Sequence, residues 1–168
     1  HQQANEELDR VAQSEAKEEE MELSTLPENE RNEIKQRIKT ETKQNPIKED
    51  EKIRLEQKAE RVQFVNSLPN NFLWERARHP SLGEIVRVNQ SHRFFSQLVY
   101  IMPKKAEIIK ILDVLFFGLA KGEGKVLYSP ENKSSVVEKI LSEYREQVGN
   151  ALSEIVRKLE TDRFTDIT

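Results

Sequence analysis

The stretch from Glu84 to Tyr100 constrains the fold most, because a strand pattern runs there directly into a helix pattern. Glu84-Ile85-Val86-Arg87-Val88 is short and rich in β-branched residues. Ile85 alternates with Arg87 while Val86 and Val88 share the opposite face, as in a half-buried strand. Asn89 and Ser91 break the run, and either side-chain oxygen can cap the first amides of a following helix. From His92 the period changes: Phe94, Phe95, Leu98 and Val99 fall at helical spacing and form one apolar face. A strand carries the chain into the core and an aromatic helix carries it out.

One strand needs partners. Phe72-Leu73-Trp74-Glu75-Arg76-Ala77-Arg78 reads as a second strand, with Phe72, Trp74, Arg76 and Arg78 on one side, and His79-Pro80-Ser81-Leu82-Gly83 reads as a hairpin connection. A lone hairpin is marginal, so helical cover or more sheet must join it. Downstream, Lys104 to Lys121 is the most hydrophobic segment of the chain, with only Lys110 and Asp113 as a narrow polar stripe. That pattern predicts a buried central helix, ended by Gly122-Glu123-Gly124. A last helix, capped by Ser134 or Ser135, carries Val137, Leu141, Tyr144, Val148, Ala151, Ile155 and Leu159 at fours and threes. This stripe either completes the core or zips against a second copy.

Before Glu60 apolar residues are sparse, in a chain whose charged content is 34%. Ala4 to Glu22 has helix-forming composition with a thin stripe of Leu8, Val11 and Ala12, and its Glu18-Glu19-Glu20 run reads as a solvated surface. Thr25 and Glu28 have capping-box spacing around Pro27, and the helix they start carries Ile34 and Ile38 and stops at Asn45-Pro46. A third helix is expected from near Glu49, with Leu55, Ala59, Val62 and Val65 at helical spacing. The first two helices bury too little to stand alone, so they pair, dock or fray. The expected fold is α+β and mostly α: a β-hairpin packed on a C-terminal helical bundle, preceded by charged helical arms. Residues 1–66 form the charged extension, 67–162 the compact domain and 163–168 a loose tail.

The chemistry-bearing residues are few. There is no cysteine, which excludes disulfides and thiol chemistry. Of the histidines, His1 opens the chain, His79 precedes Pro80 in a turn and His92 sits at the junction, with no pair at metal-ligand spacing. Gly118-Leu119-Ala120-Lys121-Gly122-Glu123-Gly124-Lys125 follows a helix rather than a strand and lacks the Gly-Lys-Ser/Thr of a phosphate loop. No catalytic, cofactor or metal residue is therefore assigned, and the chain is expected not to be an enzyme. Arg76, Arg78, Arg87, Arg93, Lys104 and Lys105 cluster around the hairpin near Trp74, in a chain of net charge -3. They form either a surface for nucleic acid or an acidic partner, or solvated arginines that pair with the acidic arms. The candidate interaction residues are Arg76, Arg78, Arg87, Asn89, His92 and Arg93.

Phe72-Leu73-Trp74, then Gly83-Glu-Ile-Val-Arg-Val88-Asn89-x-x-His92-x-Phe94-Phe95-x-x-x-Val99-Tyr100 ahead of a very hydrophobic helix, resembles the C-terminal region of bacterial GHKL-type ATPases. These are large proteins with a gyrase- and histidine-kinase-like ATP-binding fold at the N-terminus. The charged helices from Glu6 to Glu60 are similar to the helical insert that often precedes that region, and Arg93 departs from the family, which has proline there. The resemblance implies a non-catalytic C-terminal assembly or partner-binding module, without cofactors, that relays nucleotide state from an upstream ATPase domain or forms a homodimer. The alternative is a nucleic-acid-binding module built on the basic cluster. The opening His1-Gln2-Gln3, without methionine, reads as a piece of a longer protein. No apolar run approaches a membrane span and no signal peptide is evident, so a cytoplasmic protein is expected.

Overall fold

Strand β3 (Gly83–Asn89), the strand of the junction, is the centre of the sheet. A computed structural model describes residues 2–44, 47–50, 53 and 60–159 of the chain, and the fold they form is α+β and mostly helical. On one side β3 pairs antiparallel with β2 (Trp74–His79), from Trp74 opposite Val88 to His79 opposite Gly83, which is the expected hairpin. Gly83 closes the turn at φ 76°, a left-handed conformation that suits glycine.

On its other side β3 pairs in parallel with β1 (Val62–Val65), Val62 opposite Val86 and Phe64 opposite Val88. Here the structure departs from the expected third helix. Val62 and Val65 are helically spaced, but Val62-Gln63-Phe64-Val65 equally fits a two-residue period, and β3 would otherwise keep an unpaired edge. Tertiary pairing overrides the local pattern. Glu49, Asp50 and Ile53 are helical, while Leu55 and Ala59 lie outside the described residues. The sheet thus begins within the stretch assigned to the charged extension.

The strand registers place Val62, Phe64, Trp74, Arg76, Val86 and Val88 on one face. Across it lies α3 (Lys105–Tyr128), which sets Phe116, Phe117 and Ala120 against the sheet. The junction helix is a short π-turn, Phe95–Val99, in which the Tyr100 amide donates to Phe95 O. It delivers Phe95 to the middle of the core, fully buried, edge-on to Phe64 at 5.6 Å and near Phe116 at 6.1 Å. The opposite sheet face buries Ala77 and Ile85 against Ile47 and Leu82.

Helix α3 does not end at Gly122–Gly124 but runs on to Tyr128. Gly124 is there for close approach: an added Cβ would sit 2.6 Å from Glu84 Oε2. Arg37, on α2 (Glu28–Gln44), instead caps the end of α3, donating to Leu127 O at 3.3 Å and Ser129 O at 2.6 Å. Nor is α3 buried all round. Asp113, expected on its polar stripe, is fully buried, while Ile111 is 70% exposed. Helix α4 (Ser134–Lys158) starts without a side-chain cap, so neither Ser134 nor Ser135 plays that part. Likewise Thr25 does not cap α2; its hydroxyl donates back to Glu22 O within α1 (Gln2–Thr25).

The two N-terminal helices dock on the domain. Leu8 and Ala12 of α1 belong to the main core cluster, Arg61 pairs with Asp9 at 2.8 Å, and Lys121 reaches Glu19 at 2.7 Å. Among the described residues no helix is long and apolar enough to cross a membrane.

Candidate functional site

The six residues singled out by sequence do not form one surface. Strand alternation does put Trp74, Arg76 and Arg78 on a common side, but that side faces the helices. Arg76 is 5% exposed and bound on several sides. Its Nε donates to Glu84 Oε1 at 2.8 Å, its Nη1 and Nη2 grip both carboxylate oxygens of Glu41 on α2, and Nη2 also donates to Tyr128 Oη at 3.2 Å. The guanidinium groups of Arg76 and Arg78 each lie 5.4 Å from the centre of the Tyr128 ring. This is the pairing with the acidic arms that the sequence allowed. It takes Arg76 out of any basic surface.

Asn89 and His92 are also buried, a correction to their expected exposure. Both are consumed in building the junction. Asn89 Oδ1 accepts from the Ser91 amide at 3.1 Å and its Nδ2 donates to Phe72 O at 3.3 Å. His92 Nδ1 accepts from the Phe94 amide at 3.1 Å, so the ring proton sits on Nε2, which donates to Gly149 O on α4 at 3.0 Å. Ser153 Oγ lies 3.2 Å from the same Nε2, yet with that nitrogen protonated there is no lone pair to take the serine proton. Burial pushes the His92 pKa below its ordinary value, and the neighbouring Arg93 pushes the same way. The hollow beside it is lined by Asn71, Asn89, Ser91, Arg93, Ser96 and Gln97 together with Ser153, without a carboxylate. Arg78, Arg87 and Arg93 keep partial exposure.

Buried carboxylates are the second feature that the sequence hid. Burial pushes Glu84 up to about 7 even with Arg76 and Arg78 beside it, and pushes Asp113 up to about 6. Glu41 and Glu123 are raised for the same reason. Glu123 accepts from Trp74 Nε1 at 3.2 Å and faces Arg145 of α4 at 3.8 Å. A carboxyl whose folded pKa exceeds its unfolded value binds protons more tightly when folded. Its stabilising contribution is complete below the unfolded pKa and is lost as pH rises through the folded one. From an ordinary value of 4.5 for Glu84, that window runs to about 7. Thermal unfolding is therefore expected to show Tm falling by about 5 °C or more from pH 5 to pH 8, with a shallower slope in Glu84→Gln. A Tm that rises across this range would contradict the assignment.

The main exposed apolar feature lies elsewhere. On α3, Ile111, Val114, Leu115 and Val126 are 70, 57, 52 and 46% exposed. On α4, Val136, Ile140, Tyr144 and Ile155 are each more than half exposed. Ile111, Leu115, Gly118, Gly122 and Val126 recur at fours and threes, which makes one stripe along α3, opposite the side that carries Phe116 and Ala120. Val136, Ile140, Tyr144, Ala151 and Ile155 make a matching stripe on α4. Leu119 and Leu141 join the two across an apolar groove of about 500 Å³. The sequence offered Tyr144 and Ile155 for a core or a zipper; the structure leaves them outside the core.

No family model, curated protein or solved structure matches this chain.

Proposed function

We propose that this chain is a non-catalytic assembly module whose working surface is the apolar face shared by α3 and α4. One observation carries the reading: eight large apolar side chains stand exposed on two adjoining helices of a protein that is otherwise rich in charge. Contiguous apolar patches beyond a few hundred Å² are uncommon on monomers and mark interaction surfaces. Burying one such side chain is worth about 1.5–3 kcal/mol, so even partial cover of this face rewards association. The resemblance to the C-terminal region of GHKL-type ATPases supplies the setting, a module that passes nucleotide state from an ATPase domain to its partners.

Leu115 and Ile140 are exposed, so Leu115→Glu with Ile140→Glu is expected to keep the helical circular dichroism and Tm within about 2 °C while abolishing association. Association is read both as self-association and as binding to the ATPase domain of the parent chain. Unchanged association in both assays would remove this face from the function.

A further inference from the structure

We infer that the partner at this face is a second copy of the chain, docked about a two-fold axis parallel to the helices, with α3 of each copy lying on α4 of the other. The inference rests on the assembly reading and names its partner. It begins with Gly118 and Gly122. Both lie in mid-helix on the exposed stripe, and a Cβ added at either meets nothing within 4 Å. A glycine in a helix interior is disfavoured relative to alanine. Gly124 and Gly149 are required by their own fold, because Cβ atoms there would run into Glu84 and the Asn71 backbone. Gly118 and Gly122 have no such intrachain reason. One helical turn apart, they form a shallow notch that lets another helix approach closely.

Shape then selects the arrangement. Placing α3 on its own copy would set notch against notch and bring the bulky Ile140–Tyr144 ridge of α4 against itself. Placing α3 on α4 of the copy lowers that ridge into the notch. A parallel two-fold axis produces this crossing and makes each helix pair antiparallel, which yields a four-helix bundle. The size is adequate as well. Helices of 24 and 25 residues are about 36 Å long and about 10 Å wide. Together they offer roughly 700 Å² of face, close to the ~800 Å² per partner of a standard interface.

Charge agrees with the same register. The five-residue connection from Tyr128 to Ser134 makes α3 and α4 antiparallel, and the Glu123–Arg145 contact sets Lys125 level with Glu143 in the third turn of α4. The axis preserves that level. It sets exposed Lys125 of one copy beside exposed Glu143 of the other, and exposed Glu107 near the basic last turn of α4 with Arg157 and Lys158. Each pairing occurs twice in the dimer.

The test is sedimentation equilibrium of the full 168-residue chain over a wide concentration range. The unaltered chain is expected to reach twice its 19.7 kDa mass. Gly118→Leu with Gly122→Leu fills the notch with better helix formers. It is expected to raise the monomer's Tm and weaken the dimer at least a hundredfold. Lys125→Glu weakens it about tenfold, and adding Glu143→Lys restores it. A chain that stays at 19.7 kDa at the highest concentration overturns the second copy as partner, and the ATPase-domain assay above then decides the assembly reading separately. A dimer indifferent to the leucine substitutions and to the charge exchange overturns this docking. If it is indifferent also to Leu115→Glu with Ile140→Glu, the self-association does not use this face.

Discussion

Arg76→Met is expected to destabilise the protein by about 3–5 kcal/mol at pH 8. The substitution keeps the length of an unbranched side chain and removes the guanidinium. It leaves Glu41 and Glu84, both held by that one group, as neighbouring anions in a buried site. Arg78 remains 3.6 Å from Glu84, but it is partly exposed and compensates only in part. Both carboxyls are already pushed upward by burial, and losing the nearest cation pushes them further. The sign with pH follows. Glu84, already raised to about 7, takes up a proton in the folded variant between pH 8 and pH 5, so the penalty shrinks over that range and is larger at pH 8. Urea unfolding at both pH values checks this, and equal destabilisation at the two would refute the electrostatic account. Arg76→Met combined with Glu41→Met and Glu84→Leu is expected to recover most of the loss, because a buried ion network replaced as a whole by apolar groups is often neutral or better.

Gly149→Ala is expected to cost about 3 kcal/mol, against a helix-propensity gain of about 1 kcal/mol in the other direction. Gly149 lies in α4 directly under the Pro69–Asn71 turn, and an alanine Cβ there would overlap the Asn71 carbonyl. The obstacle is backbone, and it is pinned. The Phe72 amide donates to Pro69 O at 2.9 Å, and Asn71 Nδ2 donates to Asn150 Oδ1 and Ser153 Oγ, both at 3.1 Å. Moving α4 away would also stretch the His92 bond to Gly149 O. At Gly118, where a Cβ meets open space, the same substitution is expected to stabilise the monomer by about 1 kcal/mol. Urea midpoints at micromolar concentration distinguish the two glycines. A stabilising Gly149→Ala would show that the turn does not pack on α4 as described.

The basic cluster shows why composition along the chain does not identify a binding surface. Arg76, Arg78 and Arg87 are near neighbours in sequence, yet period two sends Arg76 and Arg78 to one face and Arg87 to the other. Helix α2, dozens of residues away, then closes over Arg76. The exposed apolar face was hidden for a related reason. The stripe of Ile111, Leu115 and Val126 is as regular as the stripe of Phe116 and Ala120, and periodicity carries no sign that distinguishes core from open surface. The one usable hint was glycine at both 118 and 122, in a helix that had no local need of either.

Local patterns were sufficient for the strand-to-helix junction, the hairpin with Gly83 at its turn, the long C-terminal helices and the mostly helical α+β class. Each is specified by neighbours within a few residues, through side-chain period, turn chemistry and β-branching. Three features needed the folded chain: β1 as a strand, the inward side of α3 with Asp113 buried, and the Arg76–Glu41–Glu84 clasp. In each, the deciding partner comes from a distant segment. A backbone edge, a helix face or a buried charge takes its final place from whichever surface can satisfy it, and that surface exists only once the sheet and helices have come together.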